Sequence, residues 1–217
     1  MQQTIITTTI DFVRQQLANA EGGHDWFHIE RVWKNAQLIA SKETNADPMI
    51  VELGALLHDI ADSKFHDGDE TVGPRVAREF LEYQQVDDRI IDHVIKIIEN
   101  ISFKGGNVDQ SFKSIELDIV QDADRLDALG AIGIARTFNY GGFKNRTIYD
   151  PAVKPDLNMD KETYKKSTAP TINHFYEKLL LLKDRMNTKA GKQLAQKRHQ
   201  FMEHYLEQFY AEWNGEV

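Results

Sequence analysis

Apolar residues recur at helical spacing from one end of the chain to the other. Ile6, Ile10, Val13 and Leu17 fall three or four positions apart, and Ile29, Val32, Trp33, Ala36, Ile39 and Ala40 form a wider stripe of the same period. That spacing puts side chains on one face of an α-helix. A turn at Asn45–Pro48 precedes Met49–Ala61, where Ile50, Val51, Leu53, Leu56, Leu57 and Ile60 wrap most of the circumference. A helix apolar on nearly all sides belongs at the centre of a core. Further helices are predicted over Pro74–Tyr83, Asp87–Glu99, Ser114–Ala123 and Arg125–Phe138, and two late ones near Thr168–Met186 and Lys189–Trp213. The stretches Phe65–Gly73 and Ser102–Gln110, rich in glycine and charge, read as loops, and Asn139–Leu157 reads as a long irregular segment. Alternation of period two is nowhere sustained, so the predicted fold class is all-α. With no repeat, low-complexity tract or linker, one multi-helix domain is expected over residues 1–217.

Composition narrows the function. With 41% hydrophobic and 28% charged residues, the chain of 217 residues reads as an ordinary globular protein with a core. No cysteine is present, which excludes a disulfide framework, a thiolate zinc site and a cysteine nucleophile. No apolar run approaches the roughly 18 to 20 residues of a membrane span, and no signal-like start is seen, so a cytoplasmic location without membrane contact is expected. The formal charge of −8 argues against a binder of long nucleic acids. That charge is uneven: residues 1–135 carry −12 and residues 136–166 carry +3. The basic segment, with Gly141-Gly142, Lys144, Arg146 and Lys154, reads as a candidate lid bringing positive charge to an anionic substrate.

The pair His58-Asp59 sits where the most apolar helix ends, so both polar groups emerge from the core at one point. Burying them there costs several kcal/mol unless they are paired or bound to a cation. His24 and His28, four residues apart, share a face if their helix extends far enough back. Downstream, Asp122, Asp124 and Asp127 supply carboxylates beside apolar helix positions. Two imidazoles and two carboxylates make a mixed nitrogen and oxygen donor set, suited to Mn²⁺, Fe²⁺ or Zn²⁺.

The order His28, then His58-Asp59, then Asp124 resembles the H…HD…D signature of HD-domain metal-dependent phosphohydrolases, an all-α superfamily. The local contexts H24-D-W-F-H28-I-E-R31-V, L56-L-H58-D59-I-A-D62-S-K64 and D122-A-D124-R125-L-D-A-L-G130 are similar to those of the small bacterial HD hydrolases acting on nucleotides. The likeness spans roughly residues 20–150, and the C-terminal helices, about 168–214, match no motif. The resemblance implies that His28, His58, Asp59 and Asp124 bind one divalent metal ion, with Mn²⁺ favoured over Fe²⁺, Zn²⁺, Ni²⁺, Co²⁺ or Mg²⁺.

The same resemblance places Asp62, one turn past His58, as a base or water-orienting group. Lys64 beside it, Lys104 and Arg125 are candidate phosphate contacts, with Arg31 near His28, and Lys144 and Arg146 rank behind them. Lysine serves as a point charge and arginine as a bidentate fork on a polyphosphate. Trp26, Phe27, Phe65, Phe103 and Tyr149 flank the motifs and nothing in the sequence selects one for stacking on a base. The expected partner is a small phosphorylated substrate, a nucleotide, and a homo-oligomer is compatible with the sequence. The expected activity is hydrolysis of (deoxy)nucleoside triphosphates to monophosphate and pyrophosphate. Alternatives are a guanosine polyphosphate pyrophosphohydrolase, a 5′-nucleotidase, or a helical binding module without chemistry.

Overall fold

The computed structural model describes residues 2–18, 25–60, 69, 71–101, 112–160, 163 and 166–217. Among the described residues the secondary structure is helical: α1 Gln2–Gln16, α2 Trp26–Ala40, α3 Pro48–Leu57, α4 Val72–Tyr83, α5 Asp88–Asn100, α6 Ile115–Asp127, α7 Gly130–Phe143, α8 Asn173–Glu177, a 3-10 helix Leu179–Arg185, and α9 Lys189–Asn214. The all-α expectation therefore holds. Among the described residues, no helix is long and apolar enough to cross a membrane. The chain divides into two compact units, Met1–Asp124 and Arg125–Val217.

In the first unit α3 is the hub. It packs against α1, α2 and α5, and α4 packs on α5. Eight of its ten residues are buried, as its apolar circumference predicts. Its start is fixed by Asp47, whose carboxylate accepts the Met49 amide at 2.8 Å, and by Pro48 at the first helical position. Gly54 is a packing requirement, since a Cβ there would lie 3.2 Å from Ile97 and 3.5 Å from Val120. The predicted helix to Ala61 stops earlier, at Leu57. His58 is its C-cap, and the imidazole Nδ1–H donates to the Ala55 carbonyl at 2.8 Å, satisfying a carbonyl near the helix end.

Between α2 and α3, Glu52 accepts from the Trp33 indole at 2.8 Å and from Gln37 at 2.9 Å. Asp25 caps α2 by accepting the His28 amide at 2.9 Å. The Ser114 hydroxyl accepts the Leu117 amide at 3.1 Å at the start of α6.

Three expectations fail in and around the second unit, each for a local reason. The helix break expected between Ala123 and Arg125 does not occur there; α6 continues to Asp127, and the break falls at Ala128 and Leu129, before Gly130, φ +72°, opens α7. A Cβ at Gly130 would also meet Arg198 at 3.1 Å, so glycine answers both the left-handed backbone and the close approach. The irregular segment starts only after Phe143, because Asn139–Phe143 extend α7. Gly141, read as a pliable point, is buried against Thr171, whose Oγ1 would lie 2.3 Å from an added Cβ. Finally, the helix expected over Thr168–Met186 is replaced by short α8 and a 3-10 helix. Three residues per turn suit the four-leucine run, with Leu179 and Leu182 buried and Leu181 43% exposed.

The segment after α7 is tied down within its own unit. The Thr171 and Ile172 amides donate to Thr147 and Ile148 carbonyls at 2.8 and 3.0 Å, and Asn173 donates to Val153 at 3.1 Å. Tyr149 stands among Phe209, Tyr210 and Trp213, with ring centroids 5.8, 5.4 and 5.0 Å away. Buried Asp127 pairs with Arg136, and the Thr188 hydroxyl caps α9 at Gly191.

Candidate metal centre

Three helices of the first unit each deliver one polar side chain to a common point. His28 projects from the first turn of α2, which Asp25 holds by its amide, and is 3% exposed. His58 ends α3 and is 8% exposed. Asp124 lies in the last turn of α6, with its side chain 41% exposed. The Asp124 Oδ1 stands 3.5 Å from His28 Nε2 and 4.0 Å from His58 Nε2, and the imidazole centroids are 5.5 Å apart at 67°. One donor atom from each residue lies within 4.8 Å of the others. Two buried imidazoles thus face a carboxylate that reaches solvent.

The donor set fits a divalent cation. Metal bonds to imidazole nitrogen and carboxylate oxygen run about 2.0–2.2 Å, so two ligands of one ion lie at most about 4.4 Å apart; the two carboxylate–imidazole separations fall inside that reach, and the whole group is within 4.8 Å. The tautomer of His58 also fits. Its Nδ1 faces a carbonyl, which can only accept, so Nδ1 carries a hydrogen and Nε2, on the Asp124 side, is the nitrogen left for an ion. Of the three carboxylates downstream, Asp122 is fully buried, Asp127 is engaged by Arg136, and Asp124 joins the histidines. Asp59 follows His58 in the turn after α3 and is half-buried. Asp62, Lys64 and Lys104 lie outside the described residues, as does His24.

Arg31 is half-buried on α2, one turn beyond His28. The other cations belong to the second unit. Arg125 donates to the Arg185 carbonyl at 2.7 Å. The Lys144 ammonium lies 5.0 Å from the Phe143 ring centroid and 5.7 Å from that of Tyr140, and Arg146 stands 5.6 Å from Tyr140 while donating to the Ser167 carbonyl. Sequence reasoning missed Asn35, buried on α2 two turns below His28, whose side-chain amide reaches the Ala123 carbonyl at 3.5 Å. An asparagine inside the apolar stripe Val32–Ile39 was the available signal.

The HD-domain family model matches residues 26–129, the stretch holding His28, Asn35, His58, Asp59 and Asp124. YpgQ, an uncharacterized protein of Bacillus subtilis strain 168, is 40% identical over 200 residues, 91% of this chain and 88% of YpgQ. The chain belongs to the HD-domain superfamily. A crystal structure of an HD-superfamily hydrolase from Bacillus thuringiensis superposes with a TM-score of 0.80 and 45% identity, covering 99% of both chains. The crystal structure of Bacillus subtilis YpgQ in complex with ADP superposes at 0.74, with 35% identity across 97% of this chain and 96% of that one. An HD-superfamily hydrolase from an uncultured Thermotogales bacterium follows at 0.64 and 26% identity, covering 95% and 92%. This HD protein is a metal-dependent phosphohydrolase in general class, and its His and Asp group could hold the metal.

Proposed function

We propose that this HD protein hydrolyses (deoxy)nucleoside triphosphates between the α and β phosphates, releasing monophosphate and pyrophosphate. The observation that carries the reading is the convergence of His28, His58 and Asp124 at a point open to solvent on the Asp124 side, with Asp59 as the fourth proposed ligand. The ADP complex of YpgQ supports a nucleotide as the ligand class. A divalent ion held there, with Mn²⁺ proposed, would lower the pKa of a bound water and polarise a phosphoryl oxygen. The chain's residues supply the rest. Buried His28 and His58 hold nitrogen donors toward the site, and Asp124 brings negative charge from the solvent side. Asp62 accepts the proton of the attacking water as the new bond to Pα forms. The bond from Pα to the bridging oxygen breaks, and the pair of electrons leaves with pyrophosphate. Arg31, Lys64, Lys104 and Arg125 are the proposed contacts for phosphate oxygens, with Lys144 and Arg146 behind them.

The test is incubation of manganese-loaded protein with deoxynucleoside triphosphates, nucleoside monophosphates and guanosine polyphosphates, followed by separation of products. Monophosphate and pyrophosphate in equal amounts support the reading. Orthophosphate released from monophosphates alone overturns it.

A further inference from the structure

Of the five aromatic residues flanking the motifs, two, Phe65 and Phe103, lie outside the described residues. Two of the others are engaged: the Arg14 guanidinium stands 4.5 Å over the Trp26 ring, and Tyr149 is ringed by Phe209, Tyr210 and Trp213. Phe27 differs from both. It is 63% exposed, although it occupies the first turn of a helix whose N-terminus is fixed by Asp25. Singly exposed aromatic rings are ordinary, and Tyr83 and Phe143 are as open as Phe27; what sets Phe27 apart is its place on a capped first turn, one residue from a candidate metal ligand.

The helix geometry suggests the occupant. Successive residues turn by about 100° on an α-helix of 3.6 residues per turn. With Phe27 at zero, Arg31 falls at about 40° and His28 at about 100°. Along the axis His28 is about 1.5 Å and Arg31 about 6 Å beyond Phe27, so one side of α2 carries an aromatic ring and a guanidinium one turn apart, both next to an imidazole of the metal cluster. A nucleotide carries the matching elements, a flat base and charged phosphates. Asp124 closes the far side of the same imidazole at 3.5 Å, so the phosphate end has its place next to His28.

We propose that Phe27 is the platform on which the substrate base stacks, with Arg31 one turn along the same side of α2; this rests on the nucleotide reading above and names the residue that grips the base. Stacking on an aromatic ring tolerates any base, because every base has a π-face. The platform therefore holds nucleotides as a class without choosing among them.

The test compares two probes on the full manganese-loaded chain by calorimetry: the α,β-methylene analogue of dATP, and inorganic tripolyphosphate, which has phosphates and no base. Phe27→Ala should weaken the analogue about ten-fold, within the roughly 5- to 150-fold range of a lost base stack. It should leave tripolyphosphate binding and Mn²⁺ affinity unchanged, and Phe27→Trp should keep wild-type affinity for the analogue. Unchanged analogue affinity in Phe27→Ala overturns the inference and leaves the nucleotide reading standing, as does an equal loss on both probes. So does a change of oligomeric state without a change in analogue affinity. A wild type that does not bind the analogue at all overturns the nucleotide reading and the platform with it.

Discussion

Asn35→Leu should weaken Mn²⁺ binding by about ten-fold while costing the fold little. Asn35 sits on the same face of α2 as His28, two turns on, and its amide reaches the carbonyl immediately before Asp124. At 3.5 Å this bond is long, so its own share of stability belongs at the low end of about 0.5–1.5 kcal/mol. Leucine refills the volume and removes a polar group from an 8% exposed position. The consequence for the site is larger, because its tolerance is small. His58 and Asp124 stand 4.0 Å apart, against a reach of about 4.4 Å for two ligands of one ion. A drift of α6 by about half an ångström, once the tether is cut, takes Asp124 beyond that reach. Losses of about 10- to 100-fold are usual when a group orienting a ligand is removed. Titration calorimetry with Mn²⁺ measures the affinity, and urea unfolding of metal-free protein measures the fold. Gln37→Ala on the exposed side of the same helix is the control and should match wild type in Mn²⁺ affinity. An Asn35→Leu protein that binds Mn²⁺ within two-fold of wild type refutes the reasoning, and so does one that weakens only in proportion to a global loss of stability.

Asp124→Ala should abolish phosphohydrolase activity and lower the metal content of purified protein, with helical circular dichroism intact; full metal occupancy would remove Asp124 from the ligand set. His174 has its pKa lowered to about 4, mainly by burial and further by Lys178 and Arg146. Below about pH 6.5 the unfolded chain takes up a proton there that the native protein does not. Stability should therefore fall as pH drops from about 6.5 to about 4, by up to about 3 kcal/mol, and level off below. Urea titrations across that range should show a flatter profile for His174→Gln, and identical slopes would contradict the assignment. Gly141→Ala should destabilise by about 1–3 kcal/mol through collision with Thr171. Adding Thr171→Ala should recover part of the loss, and additive losses in the double variant would place the strain elsewhere.

The motif-bearing first unit was legible because its elements carry their own punctuation. Asp25, Asp47 with Pro48, and Asp87 are each capping residues set directly before an apolar period, and the α3 circumference announces a buried hub. The grouping of His28, His58 and Asp124 was anticipated through the resemblance, while spacing alone left Asp122 and Asp127 equally eligible. Burial separates them: one carboxylate is in the core and another on Arg136. The second unit was harder to read, since its boundaries answer to tertiary contact. Gly141 looks pliable in sequence and is a close-packing residue in space. The leucine run from Leu179 to Leu182 fits either helical period, and burial of two of its members resolves it. Asn35 was passed over because a single amide barely disturbs an apolar stripe.

The hydrogen bond from His58 Nδ1 to the Ala55 carbonyl separates two roles within one ring. The helix end is closed by one nitrogen, and the ion is offered the other. Closure of α3 therefore does not depend on an ion being there, and the hub around it is held by its apolar contacts and by the Glu52 hydrogen bonds to α2. Stripping with a chelator should leave the helical circular dichroism intact, and reloading should need no refolding step. Which ion it carries then follows the supply around it as much as the preference of its ligands. Exchange at this centre is a question of concentration and affinity, not of refolding.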